Sequence, residues 1–268
     1  MGVVGFLTTR SSMLGSLCMT GILAIAASGF PSPAAALSHS QTNRRRAAPR
    51  AVVPFTSFSF GDVYTGDVIS QIFVIKNEGN ADLLIGDFKA ECGCTIARAD
   101  RSIPPGKEGT VEVEVQTVSQ SGLINKFATL PTNDPDHPKI IFTMIANVLK
   151  GSPVRQGKYI GPLFLSPGSR GSMYANPGKK ATTEFSITAD SVPVQILRVE
   201  GGTKQFSSRI EVVQPGRNYR ILVESIQVET GGLYTDQLRV VTDNPNLPAF
   251  SLDLNLRVYS KEESRDLR

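Results

Sequence analysis

The sequence is poor in the residues on which most enzyme sites depend. It has no tryptophan, two histidines and three cysteines in 268 residues. It contains no G-x-S-x-G, no Walker loop, no dinucleotide-binding glycine fingerprint and no H-E-x-x-H, so the common hydrolase, nucleotide-binding and zinc-protease signatures are absent. A Ser–His or Cys–His pair would have to use His137, because His39 lies in a linker-like segment. We therefore expect a protein that is not an enzyme, and a hydrolase of unknown type is the least favoured class.

Helical periodicity is missing too. After residue 40 no stretch repeats its apolar residues with the 3.6-residue period of an amphipathic helix. Gly (24) and Pro (17) are frequent, which suits short strands joined by turns. Apolar residues make up 40% and charged residues 19% of the chain, enough to build a packed core. The composition predicts an all-β protein.

The N-terminal segment is nearly free of charge, with Arg10 as the only charged residue before residue 44. An apolar stretch follows Arg10, and small residues that suit cleavage stand at Ala34, Ala35 and Ala36. This layout predicts a signal peptide over residues 1–36 and an exported protein, either periplasmic or extracellular. An uncleaved N-terminal membrane anchor is the alternative, because the apolar stretch approaches the length that spans a bilayer.

The positive net charge comes from a short segment before the predicted fold. Residues 37–53 form an arginine-rich linker that holds Arg44, Arg45, Arg46 and Arg50. Without these four and Arg10, 23 basic residues face 24 acidic ones. We expect a flexible tether that could touch an anionic surface weakly. The near-neutral remainder argues against nucleic acid as a partner.

The chain repeats itself after the linker. Pro105-Gly106, Gly122, Thr132 and Pro135 recur further along as Pro215-Gly216, Gly232, Thr242 and Pro245, and one constant offset relates all of these landmarks. A shared, ungapped offset predicts two copies of one unit. We place the first copy at 54–150, the second, divergent copy at 157–260 and a charged tail at 261–268.

Each copy has the pattern of a β-sandwich. The stretch GTVEVEVQT (109–117) alternates Val111, Val113 and Val115 with Glu112 and Glu114, so one side of the strand faces the core. Similar short runs follow at intervals of about 8–12 residues, fenced by Gly, Pro, Asn or Asp. The fold class predicted is all-β, with two tandem immunoglobulin-like sandwiches after a signal peptide.

Two cysteines stand one residue apart in ECGCTIARAD (91–100), as Cys92 and Cys94. An exported protein meets oxidising conditions, and a glycine between them allows the bend that a disulfide across two residues needs. A Cys92–Cys94 disulfide is therefore the first candidate. Packed thiols, a copper(I) site and a thiol-exchange site are the alternatives.

The metal hypothesis depends on the number of ligands. Zinc takes four protein ligands in structural sites, whereas Cys92 and Cys94 supply two. Copper(I) suits soft thiolates better, so it is the cofactor considered, with no cofactor as the main expectation. A cation site at Asp134, Asp136 and His137 is a weaker idea, because turn chemistry already explains this loop.

The signatures of the first copy resemble a known family. They are FSFG (58–61), NEG (77–79), LLI (83–85), CGCT (92–95), PPG (104–106) and TNDP (132–135). Together they are similar to the secreted bacterial domain-of-unknown-function family numbered fifteen seventy-three. The resemblance implies an immunoglobulin-like fold of the abnormal-spindle, hydin and major sperm protein kind, used for binding or scaffolding and not for catalysis.

The sequence thus predicts a non-enzymatic, exported tandem sandwich that binds an unknown protein or cell-envelope component through sheet edges or faces. The alternative function is a copper(I)-binding or thiol-redox accessory protein that acts through Cys92 and Cys94. The second copy reads GGTKQF (201–206) at the corresponding place, so either thiol chemistry would occur once per chain.

Overall fold

The chain folds into strands and turns, which confirms the predicted all-β class. The computed structural model describes residues 47–90, 95–151, 157–202, 205–260 and 262–263. Among these residues, no helix has the length and apolar character that a bilayer crossing requires. The predicted signal peptide and the arginines at 44–46 lie outside the described residues.

The first ten strands of the described chain form one sandwich. They are β1 (Ala51–Val52), β2 (Ser57–Tyr64), β3 (Val68–Asn77), β4 (Leu83–Leu84), β5 (Lys89–Ala90), β6 (Thr95–Ala99), β7 (Ser102–Ile103), β8 (Glu108–Gln116), β9 (Gly122–Pro131) and β10 (Lys139–Leu149). One sheet has the order β1-β3-β8-β6 and the other β2-β10-β9-β5, while β4 pairs with β7. Val111, Val113 and Val115 are buried, as their alternation predicts.

The next nine strands form a second sandwich on the same plan. They are β11 (Lys158–Ile160), β12 (Leu163–Ser166), β13 (Arg170–Ala175), β14 (Thr182–Ala189), β15 (Ile196–Gly201), β16 (Phe206–Gln214), β17 (Asn218–Ser225), β18 (Gly232–Thr242) and β19 (Ala249–Val258). Its sheets run β12-β14-β17-β16 and β13-β19-β18-β15. The strands β8, β9 and β10 recur as β17, β18 and β19 at the sequence offset of the repeat, and both sandwiches have an immunoglobulin-like strand order.

Each sandwich has its own core. Phe73 and Phe142 stack at 4.5 Å between ring centroids in the first, and Phe185 and Leu254 are fully buried in the second. The buried apolar residues form two separate clusters that divide near residue 160. Tyr159 and Phe164 are the exceptions, because both follow the first copy in sequence but belong to its core cluster.

One sheet runs through both sandwiches. The short strand β11 pairs in parallel with β3, through Lys158 opposite Val68 and Ile160 opposite Ser70. On its other side β11 pairs antiparallel with β12. The result is a nine-stranded sheet that extends from β6 in the first sandwich to β16 in the second.

The folded segment begins before residue 54, where the sequence analysis ended the flexible linker. Ala51 and Val52 pair with Asn77 and Lys76 of β3. The amide of Ala48 donates to Asn80 Oδ1 at 2.9 Å. Arg50, one of the four linker arginines, lies 3.6 Å from Glu78 on the surface. Arg50 therefore lies beside an acidic residue of the folded domain and does not behave as part of a free linker.

Candidate functional site

The signature residue Asn77 joins three chain segments: the N-terminal segment at Arg50, its own turn at residues 79–81 and the segment at Ile103. Its side chain is fully buried, and its Oδ1 accepts from the amides of Arg50 (3.2 Å) and Gly79 (3.0 Å). Its Nδ2 donates to the carbonyls of Ala81 and Ile103, both at 2.8 Å. Because a buried amide must satisfy its donors and acceptors, only an asparagine-like side chain fits here. The N-E-G signature therefore serves the architecture.

The backbone conformation explains why two positions of these signatures are glycine. A β-carbon on Gly79 would collide with the Ala48 carbonyl and the Arg50 nitrogen, so Gly79 permits the close approach of the N-terminal segment. Gly106 has φ +71° and donates its amide to the Asn77 carbonyl at 2.8 Å. Its repeat partner Gly216 has the same φ. The P-P-G signature thus closes the turn that the sequence predicts.

The T-N-D-P loop is built in the same way in both copies. Thr132 accepts the Asp134 amide at 3.1 Å on its hydroxyl, and Thr242 accepts the Asn244 amide at 3.2 Å. In each loop the residue after the proline, Asp136 or Asn246, donates its amide to that same Asp134 or Asn244 side chain at 2.9 Å. The threonine hydroxyls also donate to the carbonyls of His137 and Leu247. The loop is therefore an architectural element.

Asp134 adds one bond that the second copy lacks. Its carboxylate accepts the amide of Ala51 at 2.8 Å and so holds the N-terminal strand. Burial opposes ionisation of Asp134, but the hydrogen bonds from the Ala51 and Asp136 amides outweigh it, so the pKa of this carboxyl lies below its ordinary value. His137 Nδ1 lies 3.2 Å from the same carboxylate.

The described residues do not support a cation site in this loop. The carboxylate oxygens of Asp134 are taken up by backbone amides, and the same loop persists with Asn244 and Leu247 in the second copy. Within the part of the chain that the structure describes, no group of three or more His, Cys, Asp or Glu side chains could hold a metal ion.

The cysteine pair belongs to the connection between two sheets. Ala90 ends β5 opposite Ala128 of β9, and Thr95 begins β6 opposite Val115 of β8. Because β5 and β6 lie in different sheets, the residues between them cross from one sheet to the other. Cys92 and Cys94 lie outside the described residues, so the disulfide, packed-thiol, copper(I) and thiol-exchange alternatives stay predictions.

The second copy makes the same crossing with the same number of residues. Gly201 ends β15 opposite Leu238, and Phe206 begins β16 opposite Ser225. Leu238 and Ser225 are the repeat partners of Ala128 and Val115, so residues 202–205 take the place of 91–94. That connection contains no cysteine. The length of the crossing therefore does not by itself require the C-G-C sequence.

The groups that could alter a thiol pKa near this connection are few in the described residues. Lys89 is exposed on β5, and Arg98 on β6 lies 3.6 Å from Glu112. His137 belongs to the loop that begins at Thr132, about 13 Å of strand beyond Ala128. The histidine thus follows the end of β9, whereas Ala90, which precedes the cysteines, pairs within the strand at Ala128.

The outer side of β9 and β10 carries an apolar surface. Ile124, Ala128, Phe142 and Met144 of these strands point into the core, so the alternate residues point outward. The outward set includes five large apolar side chains, which we call the apolar face: Leu123, Phe127, Ile141, Ile145 and Leu149. Leu123 is 78% and Ile141 53% exposed. Neither hydrophobic cluster of the described residues includes any of the five.

The same surface of the second copy is polar. At the offset of the repeat, Phe127 corresponds to Gln237, Ile141 to Ser251 and Ile145 to Asn255. Leu123 corresponds to the exposed Leu233 and Leu149 to Tyr259, so two of the five positions keep a large side chain. The two copies share strands and register, so the fold does not require an apolar surface there. The apolar face is therefore specific to the first copy.

Sequence reasoning did not single out the apolar face, although a signal exists. In KIIFTMIANVL (139–149) apolar residues occupy both alternations of the strand, whereas AFSLDLNLRV (249–258) alternates strictly. A strand that is apolar on both sides resembles one buried on both sides. The contrast with the second copy is what identifies the outward residues as unusual.

A charged cluster occupies the junction between the sandwiches. Lys158 Nζ lies 2.8 Å from Glu112 and 2.7 Å from Glu114, and its side chain is only 12% exposed. Ser70 Oγ donates to Glu112 at 2.8 Å. Burial opposes ionisation of Glu112, but Lys158, the Ser70 hydrogen bond and Arg98 outweigh it and hold the pKa of Glu112 below its ordinary value.

The groove beside this cluster is lined by both positive and negative side chains. Its volume is about 1120 Å³, and it lies between β3 and β8 on one side and β18 and β19 on the other. The charged residues that line it are Arg98, Lys158, Arg170, Arg239, Asp100, Glu108, Glu112, Glu114 and Asp253. Since both signs are interspersed and partly paired, the groove offers no uniform charge to a ligand, and the apolar face is the stronger candidate site.

Comparison with known proteins agrees with the predicted resemblance. Residues 53–148 match the family described as Protein of unknown function (DUF1573), which confirms the resemblance for the first copy. None of the curated proteins matches the chain.

Three solved structures resemble the fold at low sequence identity. A protein of unknown function from Porphyromonas gingivalis W83 is 11% identical over 77% of this chain and 99% of its own, with a TM-score of 0.30. The ASH/PapD-like domain of human CEP192 is 11% identical over 48% of this chain and 99% of its own, with a TM-score of 0.31. The N-terminal Ig1-2 module of Drosophila DLAR is 9% identical over 78% and 99%, with a TM-score of 0.37.

Proposed function

We propose, with the family match over residues 53–148 as the premise, that this chain is a non-enzymatic binding or structural protein exported to the cell envelope. The near-uncharged N-terminal segment with Ala34, Ala35 and Ala36 supports export. The apolar face of the first copy carries the binding proposal, because the second copy has the same strands without it. Exposed contiguous apolar surface on a folded domain commonly marks a contact with another macromolecule.

The contact proposed is packing of the sheet face against the partner, and not addition of a partner strand at a sheet edge. The five side chains lie on two adjacent strands that pair with each other along their length, and the outer face of this pair presents side chains, not backbone groups, to a partner. A partner would gain hydrophobic stabilisation of about 25 cal/mol for each Å² of apolar surface that it covers. Leu123 and Ile141, the most exposed members, would gain most.

Site-specific photo-crosslinking in intact cells tests this proposal. A photoreactive residue at position 141 should form an adduct, because Ile141 lies in the apolar face. The same residue at position 251, the repeat partner Ser251, is the matched control and should form little or none. A folded, exported protein that gives no adduct from position 141 would contradict the proposed role of the face.

A second candidate function rests on the cysteine pair. The described N-E-G, P-P-G and T-N-D-P signature residues are bonded into the fold, whereas the sheet crossing that holds Cys92 and Cys94 is made without cysteine in the second copy. This contrast favours a chemical use of the two thiols, as a copper(I) site or a redox pair, beside the structural disulfide.

Thiol counting followed by copper(I) titration separates these alternatives. If the cysteines serve copper(I), the reduced protein should bind one equivalent, and Cys94→Ser should weaken that binding by at least about 100-fold, since one thiolate ligand is lost. His137→Gln, which keeps both thiols, is the control and should leave binding unchanged. A native protein without free thiols at positions 92 and 94, indifferent to copper, would leave the disulfide as the role of the pair.

A further inference from the structure

We infer that the apolar face is the contact surface for a second copy of this chain, which makes the protein a homodimer through its first sandwich. This inference rests on the proposed function, because it uses the same face. It goes further by naming the partner. The reasons lie in the neutrality of the face, its dimensions and the placement of the few charges at its ends.

Along β9 and β10 the central part of the face carries no charge, and Lys89 lies beside it on the short edge strand β5, opposite Thr129. Between the apolar side chains, the outward positions of β9 and β10 hold hydroxyl and amide residues: Asn125, Thr129, Thr143 and Asn147. A neutral surface has no like charges to repel when it meets itself, so it is self-complementary in the sense that a twofold interface needs. A partner recognised by charge would call for an acidic or basic centre, and this face has neither.

The size of the sheet allows a small dimer interface. Its strands β2, β10, β9 and β5 have 8, 11, 10 and 2 residues, with about 3.3 Å per residue along a strand and about 4.8 Å between strands. The sheet therefore offers on the order of 500 Å². Each partner in a standard protein interface contributes about 800 Å², so two of these sheets would form an interface below the standard size.

A twofold axis placed across the strands agrees with the positions of the charges. Phe127 pairs with Thr143 midway along the two strands, so an axis through this row sets the two Phe127 rings against each other. The strands of the two copies then run in opposite directions. Lys139 lies at one end of the face and Asp62, bonded to Asn147 at 2.7 Å, lies at the other. Lys139 of each copy therefore approaches Asp62 of the other.

Sedimentation velocity of the purified protein over a concentration series tests the inference. The wild type should sediment as a dimer. The variant Phe127→Gln/Ile145→Asn carries the residues of the second copy at the same positions and should associate at least about 100-fold more weakly. Ile141→Lys should weaken association as well, because it places a charge on the twofold surface. Leu233→Asn, on the corresponding surface of the second copy, is the matched control and should remain dimeric.

The alternatives give different results. A wild type that stays monomeric up to about 1 mM, or face variants that remain dimeric with unchanged thermal unfolding, would overturn the inference. The mass of the adduct crosslinked from position 141 separates the inference from the function on which it rests. An adduct of twice the chain mass supports the dimer. An adduct with a different polypeptide or with lipid overturns the dimer but keeps the face as a binding surface, and no adduct contradicts both.

Discussion

Asn77→Ala should destabilise the protein by about 3 kcal/mol or more. The substitution removes a buried side chain that satisfies the amides of Arg50 and Gly79 and the carbonyls of Ala81 and Ile103. Each buried polar group left without a partner costs about 1–3 kcal/mol. Urea unfolding followed by circular dichroism measures the loss as a lower midpoint at an unchanged slope.

Asn80→Ala is the matched control for this substitution. Asn80 also accepts an amide from the N-terminal segment, that of Ala48 at 2.9 Å, but the bond is exposed to solvent. Water can replace it, so the expected loss is below about 1 kcal/mol. Equal losses for Asn77→Ala and Asn80→Ala would show that Asn77 does not join the three segments in the way described.

Lys158→Ala should be the most damaging single substitution at the junction of the two sandwiches, with an expected loss of about 3 kcal/mol. Lys158 is the cation closest to both Glu112 and Glu114, at 2.8 and 2.7 Å. Removing one side of a partly buried charge cluster leaves the remaining charges desolvated without compensation. Thermal unfolding by calorimetry measures the loss, and limited proteolysis around residues 150–157 reports whether the junction opens.

Lys180→Ala supplies the comparison for a surface pair. Lys180 lies 3.1 Å from Glu224, but both side chains are about half exposed, so the expected loss is within about 0.5 kcal/mol. If Lys158→Ala costs no more than Lys180→Ala, the junction cluster does not stabilise the joint.

Acid pH should reproduce part of the Lys158 effect. The pKa of Glu112 is lower in the folded protein than in the unfolded chain, so the folded state binds fewer protons than the unfolded state. The stabilisation of the fold by ionised Glu112 is therefore fully present above the ordinary pKa of glutamate. It is lost as the pH falls from the ordinary pKa of glutamate through the lower folded pKa of Glu112. The difference in stability between wild type and Lys158→Ala should therefore shrink in acid, and a constant difference down to about pH 2 would contradict this assignment.

The local architecture was accessible from sequence because its causes are local. The alternation around Val113 gave the buried side of β8, and the constant offset that relates Thr132 to Thr242 gave a loop that the structure builds twice with the same bonds. Turn residues act on their own neighbours, so short patterns suffice to identify them. The strand at Arg170–Ala175 has a weak sequence signal, since GSRGSMYA (168–175) is rich in glycine and serine.

The long-range features were not accessible, because their partners are far away in sequence. No local sequence pattern around Lys158 predicts its contact with Glu112 and Glu114, or the parallel pairing of β11 with β3. The apolar face escaped notice for a different reason. Ile141 and Ile145 look like core residues until the pairing of β9 and β10 shows which side of the strand they occupy.

The continuous sheet through β11 has a consequence for how the protein transmits force. With a flexible linker each sandwich would rotate independently, and a force applied to one sandwich would reach the other only after the linker was extended. Here backbone bonds between β11 and β3 run side by side along the joint, so a load applied along these strands is shared among several bonds at once. A rotation of one sandwich relative to the other at this point would therefore have to break backbone hydrogen bonds between β11 and β3.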